Sequence, residues 1–70
     1  MNSLNTQRLK NAINDSGVTI TALAKKVGIS RESLYNKIER KTEFTVSEIR
    51  SVSDALHLSN EDRDAIFFND

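Results

Sequence analysis

The stretch TITALAKKVGISRESLYNKIE, residues 19–39, decides the fold. Two short helices that cross over a turn of about three to four residues need a small side chain where their backbones approach, and Ala24 supplies it. Gly28 favours the left-handed backbone conformation that ends a helix, because it has no Cβ to clash. Leu34 lies at the position from which the second helix is expected to pack against the first. The stretch therefore predicts a helix-turn-helix.

Helical periodicity and helix end signals divide the rest of the chain into further helices. Helix 1 is predicted over residues 4–16 with Gly17 as its stop, helix 2 over residues 20–27, and helix 3 over residues 31–40 after an N-cap at Ser30. Thr45 and Glu48 have the spacing of a capping box and open helix 4, and helix 5 follows Ser59. Since no repeat or long linker interrupts this order, we expect an all-α fold and a single domain over residues 1–70.

The composition excludes several classes of function. Seventy residues bury only about 60% of the surface of the unfolded chain, so a compact helical core or an oligomer is expected. Because the chain has no Cys and one His, we expect no disulfides, no zinc site and no other metal site. No nucleophile–base pair or glycine-rich phosphate loop is present, so we expect neither an enzyme nor a cofactor. The short apolar runs and polar N-terminus predict a soluble, intracellular protein.

Charge is segregated along the sequence although the net charge is zero. Residues 1–41 carry eight basic and three acidic side chains, a net charge of +5, and residues 42–70 carry two basic and seven acidic ones, a net charge of −5. A basic half that contains the helix-turn-helix is typical of a protein that turns one face toward nucleic acid. The alternative is that these charges only solvate helix faces.

His57, at the expected end of helix 4, is interpreted as structural, because it tolerates left-handed geometry.

In the pattern around the turn, the chain resembles the Cro/C1-type helix-turn-helix family of small phage and bacterial repressors. The family implies a compact five-helix, lambda-repressor-like DNA-binding domain, with the helix-turn-helix at helices 2 and 3. One position departs from the pattern, because the family's usual phosphate-binding Gln at the start of the motif is Ile20 here. The matching residues are Thr19, Leu23, Ala24, Gly28, Ile29, Ser30, Leu34, Ile38 and Glu39.

The resemblance implies that helix 3 reads bases in the major groove through Arg31, Glu32 and Asn36. Their chemistry suits this task, since Arg pairs with guanine, Asn with adenine, and Glu accepts from cytosine. Residues of the motif and of the loop after helix 3 are expected to contact or support the DNA backbone, with Lys41 as the best phosphate candidate. These supporting residues are Thr19, Thr21, Ser30, Ser33, Tyr35, Lys37, Arg40, Lys41 and Thr42.

Three apolar residues are candidates for a protein interface. Adjacent residues of a helix diverge by about 100°, so Phe67 and Phe68 cannot both face one core, and one of them is a candidate homodimer contact. The alternative is that Phe67 completes the core and Phe68 frays. Ile20 adds apolar surface at the start of helix 2, and Tyr35 suits a protein contact as well as DNA.

Two functions remain open at this point. The first is a sequence-specific DNA-binding transcription regulator, the Cro-like member of a phage lysis/lysogeny switch, acting on a double-stranded operator in the cytoplasm of a bacterial host and nucleoid-associated when bound. The second is an antirepressor that keeps the helix-turn-helix shape and masks a partner phage repressor. Three features favour the second function. The net charge is zero, and Glu32 places an anion near the phosphates, which lowers DNA affinity. Ile20 adds apolar surface at the start of helix 2.

Overall fold

The computed structural model describes residues 3–68, and this part of the chain contains five α-helices and no β-strand. The bounds of the second helix agree with those predicted from the sequence, while the first and third helices are shorter than predicted. The helices are α1 (Thr6–Ser16), α2 (Ile20–Val27), α3 (Arg31–Ile38), α4 (Val46–Ala55) and α5 (Asn60–Phe67).

Every helix begins with a polar side chain that accepts a hydrogen bond from a backbone N–H three residues further on. Each such cap satisfies one of the N–H groups that a helix start leaves unpaired and contributes about 1 kcal/mol. At the start of α4 the predicted capping box is confirmed, because the Glu48 carboxylate also accepts from the Thr45 N–H at 2.8 Å. The five caps are Asn5, Thr19, Ser30, Thr45 and Ser59.

The first helix starts at Thr6 and not at residue 4, which corrects the sequence prediction. Asn5 has an extended backbone and caps the helix by accepting from the Arg8 N–H. Its own N–H donates to the Ile66 carbonyl at 2.7 Å, which ties the chain before α1 to α5. Leu4 is therefore a buried residue of the N-terminal segment and not the first turn of a helix.

The third helix ends at Ile38 and not at residue 40. Arg40 has φ 67°, a left-handed conformation, so the chain leaves the helix there. The Lys41 N–H donates to the Asn36 carbonyl at 2.9 Å and the Arg40 N–H to the Lys37 carbonyl at 3.1 Å, the two bonds of a Schellman motif. The sequence prediction failed because this position carries Arg, a good helix former, and not Gly.

The other left-handed helix ends agree with the sequence. Gly17 and Gly28 have φ of 75° and 85°, and the predicted turn at Gly28 is confirmed. The N–H groups of Gly28 and Ile29 both donate to the Ala24 carbonyl, at 2.9 and 3.1 Å. His57, with φ 54°, has the same left-handed conformation at the end of α4, the geometry that the sequence predicted for it.

The helices surround one cluster of buried side chains. α2 packs against α3 and α4, and α1 packs against α3 and α5, so these helices share one core. Phe44, from the loop before α4, packs edge-on against Phe67 with ring centroids 5.3 Å apart. The buried residues are Leu4, Leu9, Ile13, Leu23, Ala24, Leu34, Ile38, Val52, Leu56, Ile66 and Phe67.

Candidate nucleic-acid interface

The core holds α3 by one side and leaves its first turn at the surface. Leu34 is completely buried and Ile38 nearly so, while Ala24 of α2 is buried at the joint, as predicted. Ser30 caps α3 by accepting from the Ser33 N–H at 3.0 Å. Arg31 and Glu32 are exposed in the first turn, where the structure gives them access to a ligand. The arrangement is that of a helix that presents its N-terminal end.

The side chain of Arg31 lies over the ring of Tyr35. The guanidinium carbon is 5.9 Å from the ring centroid, within the range of a cation–π contact. Tyr35 is 45% exposed, so the pair forms a surface ridge one helical turn long. The Arg31 guanidinium and the Tyr35 ring are therefore neighbours on the exposed surface of α3.

Asn36 is half-buried, unlike Arg31 and Glu32. Its backbone carbonyl accepts from the N–H groups of Lys41 and Thr42, at 2.9 and 3.4 Å. The end of α3 therefore organises the loop that follows it. In that loop the side chains of Arg40, Lys41 and Thr42 are exposed, as expected for residues that meet phosphates.

Lys37 has a different environment from the one that the sequence predicted. Its Nζ lies 3.0 Å from Glu48 Oε1 and donates to the Glu43 carbonyl at 3.0 Å. The Lys37 side chain is only 13% exposed and that of Glu48 16%. Lys37 therefore links α3 to the start of α4 and does not project toward solvent. The sequence missed this pair because the two residues face each other only after the loop between them has folded.

The pKa of Glu48 is lowered by the groups that contact its carboxylate. Burial acts to raise the pKa of Glu48, but the Thr45 N–H and the Lys37 ammonium favour the charged form and together hold the pKa below its ordinary value. The carboxylate is thus ionised at neutral pH and forms part of a paired, hydrogen-bonded group.

A second link joins α3 to α1. Lys10 Nζ lies 3.2 Å from Glu39 Oε2, and both side chains are about half exposed. The Thr6 hydroxyl donates to the Ile38 carbonyl at 2.7 Å, which gives the end of α3 a second attachment. Exposed ion pairs stabilise by about 1 kcal/mol or less, so the Lys10–Glu39 pair contributes little to the stability of the fold. Nothing local in the sequence indicates contacts between residues so far apart.

The start of α2 borders an apolar groove. Thr19 uses its hydroxyl oxygen to cap α2, accepting from the Ala22 N–H at 3.1 Å, and Thr21 is exposed. Ile20 is half-buried and lines, with Val18 and Tyr35, a groove of about 460 Å³ between α1, α2 and α3. The motif therefore places an apolar depression beside the exposed turn of α3.

The two C-terminal phenylalanines face different environments, as the sequence predicted. Phe67 is 5% exposed and contributes to the core, which removes it from the interface candidates. Phe68 is 55% exposed and lies near Val46, which is 77% exposed, on the edge between α4 and α5. Of the pair, Phe68 alone is available for a partner.

The fold and the exposed turn define a class of protein, the small helix-turn-helix DNA-binding domain. A family profile described as Cro/C1-type HTH DNA-binding domain matches residues 8–62, most of the chain. This protein belongs to that family, and its five helices form the lambda-repressor-like fold. It is therefore a DNA-binding regulator by family. No curated protein matches the chain.

Two further observations concern residues 3–68. None of the helices in this range is long and apolar enough to cross a membrane. Within the same range, no group of three or more acidic or His side chains is arranged to hold a metal ion.

Proposed function

We propose that this protein is a sequence-specific transcription regulator, the Cro-like member of a phage lysis/lysogeny switch, which binds a double-stranded operator in the bacterial cytoplasm. The observation that carries the proposal is the exposed first turn of α3, where Arg31 lies over Tyr35 while Leu34 fixes the opposite side of the helix in the core. The resemblance to phage repressors supports the biological setting.

Base reading is assigned to Arg31, Glu32 and Asn36. Arg31 lies over an aromatic ring, and we infer that this contact reduces the conformational entropy lost when Arg31 binds guanine. Lys41 and Thr42 meet the DNA backbone from a loop whose N–H groups are fixed by the Asn36 carbonyl.

The operator is expected to be two-fold symmetric. The part of the chain that the structure describes extends 28 Å along its longest axis, whereas the half-sites of two-fold operators lie about 34 Å apart, so we assign one copy to each half-site. We assign the homodimer contact to the edge that carries Phe68, since this large apolar side chain is exposed.

The test is selection of duplexes from a randomised library at about 150 mM salt, a concentration that suppresses bare charge attraction. The expected result is enrichment of a symmetric site, with sequence preference lost in Asn36→Ala at one base pair of each half-site. Folded protein that enriches no sequence would overturn the proposal.

A second function is favoured by the groove between α1, α2 and α3. Ile20 and Tyr35 both line it, beside the helix turn assigned to DNA, and such aromatic and aliphatic surfaces are typical of protein contacts. In this alternative the protein is an antirepressor that keeps the helix-turn-helix fold and masks a partner phage repressor. The test adds the protein to a repressor encoded in the same genome while that repressor occupies its operator. Release of the DNA, without binding of the protein to the duplex, would favour this function over the first.

A further inference from the structure

The pair formed by Lys37 and Glu48 connects the two ends of the loop that follows α3. Lys37 lies one residue before the last residue of α3, and Glu48 lies in the first turn of α4. Lys37 Nζ contacts Glu48 Oε1 at 3.0 Å and the Glu43 carbonyl, within the loop, at 3.0 Å. The single ammonium group of Lys37 thus links α3 both to the loop, at Glu43, and to the start of α4, at Glu48.

The pair is also continuous with the cap of α4. Glu48 Oε1 accepts from the Thr45 N–H at 2.8 Å while Thr45 Oγ1 accepts from the Glu48 N–H at 3.1 Å. The carboxylate therefore cannot turn away from Lys37 without breaking the capping box. This sets the pair apart from an ordinary surface ion pair, in which both side chains sample many rotamers.

The shielding of the two side chains argues against a role for Lys37 at a phosphate. Both are more than four-fifths buried, and a largely buried charge separated from its partner leaves that partner uncompensated. Lys41, in contrast, is exposed. A cation that binds phosphate is expected at the surface and not within a bridge between two helices.

We propose that Lys37 and Glu48 form a brace that sets the position of α3 and of the Lys41–Thr42 segment relative to α4, so that Lys37 is a positioning residue for DNA recognition and not a phosphate ligand. The inference rests on the proposed function for its effect on DNA. Its mechanical part, the restraint of the loop, does not depend on that function.

The decisive variant is Glu48→Gln. Gln keeps a side-chain oxygen that can accept from the Thr45 N–H, so the capping box is retained, but it removes the charge that holds Lys37. If Lys37 bound phosphate, freeing it would tighten DNA binding and steepen the salt dependence by about one counterion. The brace predicts the opposite, a loss of about threefold to tenfold in affinity for the selected duplex, although the variant has lost a negative charge.

A matched control is Asp54→Asn, which removes the same charge from the exposed side of the same helix. Its affinity for the duplex is expected to be unchanged or slightly higher. Lys37→Met should reproduce the loss seen in Glu48→Gln, and Lys37→Arg, which keeps a cation within reach of the carboxylate, should restore most of it. Circular dichroism at the binding temperature establishes that each variant is folded.

Amide hydrogen exchange tests the brace without DNA. The N–H groups of Lys41 and Thr42 donate to the Asn36 carbonyl, so their exchange reports on the loop. Exchange of both is expected to accelerate in Glu48→Gln and Lys37→Met, with no change in Asp54→Asn or in the amides of α1. Unchanged exchange in Glu48→Gln would overturn the brace.

The two measurements separate the two ideas. A looser loop with unchanged duplex affinity would overturn the positioning role while leaving the proposed function intact. If the unmodified protein selects no duplex, the proposed function fails, and hydrogen exchange still decides whether Lys37 and Glu48 restrain the loop. Tighter binding by Glu48→Gln than by Asp54→Asn would return Lys37 to the phosphate-binding residues.

Discussion

The guanidinium carbon of Arg31 lies 5.9 Å from the centre of the Tyr35 ring, one helical turn further along α3. Because the ring is partly exposed, it can orient the cation without removing it from the surface. Under the proposed function, in which Arg31 reads a base, the contact gives Tyr35 a part in DNA recognition that does not require Tyr35 itself to touch a base.

Tyr35→Ala is expected to weaken binding of the selected duplex by about 0.5–1 kcal/mol, the usual strength of an exposed cation–π contact. Tyr35→Phe keeps the ring and should bind almost as well as the original protein. Duplex titrations of Arg31→Ala, Tyr35→Ala and the double variant measure the coupling. Losses that simply add would show that Tyr35 does not act through Arg31.

Asn36→Ala and Lys41→Ala are expected to separate base reading from phosphate contact. Loss of the Asn36 amide should cost about 1–3 kcal/mol and relax preference at one base pair, because the remaining contacts do not replace it. Loss of the Lys41 charge should weaken all duplexes alike and lower the salt slope by about one. Titrations of matched and mismatched duplexes over a range of salt concentrations check both outcomes. Equal, sequence-independent losses in the two variants would contradict the assignment of Asn36.

Substitution at Ile20 is expected to distinguish the two proposed functions. The usual family pattern has Gln at this position, so Ile20→Gln should add a phosphate contact and tighten binding to any duplex, by up to about tenfold. If the groove instead receives a repressor, the same change places a polar group in an apolar contact and weakens capture of that repressor. Ile20→Leu preserves the apolar surface and serves as the control. Titrations of each variant with duplex DNA and with the repressor show which of the two affinities Ile20→Gln changes.

The left-handed residues predict opposite effects of two substitutions on stability. Apart from Gly28 and its chain neighbours, no heavy atom of the described residues lies within 4 Å of the position that a Cβ would take on Gly28, so the cost of Gly28→Ala is conformational, about 1 kcal/mol. His57 already bears that cost at φ 54°, and His57→Gly should recover up to about 1 kcal/mol. In a domain of this size each kcal/mol moves the melting temperature by about 4–8 °C. A lower melting temperature for His57→Gly would contradict this account of the α4 end.

The pH dependence of stability is expected to report on Glu48. Because its pKa is lowered in the folded state, the charged carboxylate stabilises the fold at pH values above its unfolded pKa, and this contribution is lost as the pH falls through the folded pKa. Glu48→Gln has no such titration. The difference in the free energy of unfolding between the two proteins, measured by urea titration, should therefore shrink in the acid range. A difference that stays constant from neutral to acid pH would show that the lowered pKa contributes nothing.

Much of the helical framework could be predicted from local sequence. Ser30, Gly28 and the Thr45–Glu48 pair act within one turn of the chain, so their residue types are sufficient to place helix ends. The prediction failed where a residue without such a signal occupied a left-handed position, as Arg40 does. The start of α1 differs from the prediction because Asn5 is extended and caps the helix, while its N–H donates to the Ile66 carbonyl, a contact far along the chain.

Some properties of the candidate site likewise follow from local sequence, and others depend on tertiary contacts. The sequence alone determined that α3 follows a tight turn and carries Arg31 and Glu32 in its first turn, since these properties depend on residue type and helical spacing. Only the tertiary structure decided that Lys37 faces Glu48 rather than solvent, and that Phe67 packs edge-on against Phe44 while Phe68 is exposed. The physical reason is that such pairings depend on the angles between helices and the path of a loop, which are set by packing of the whole core and by no single segment of the chain.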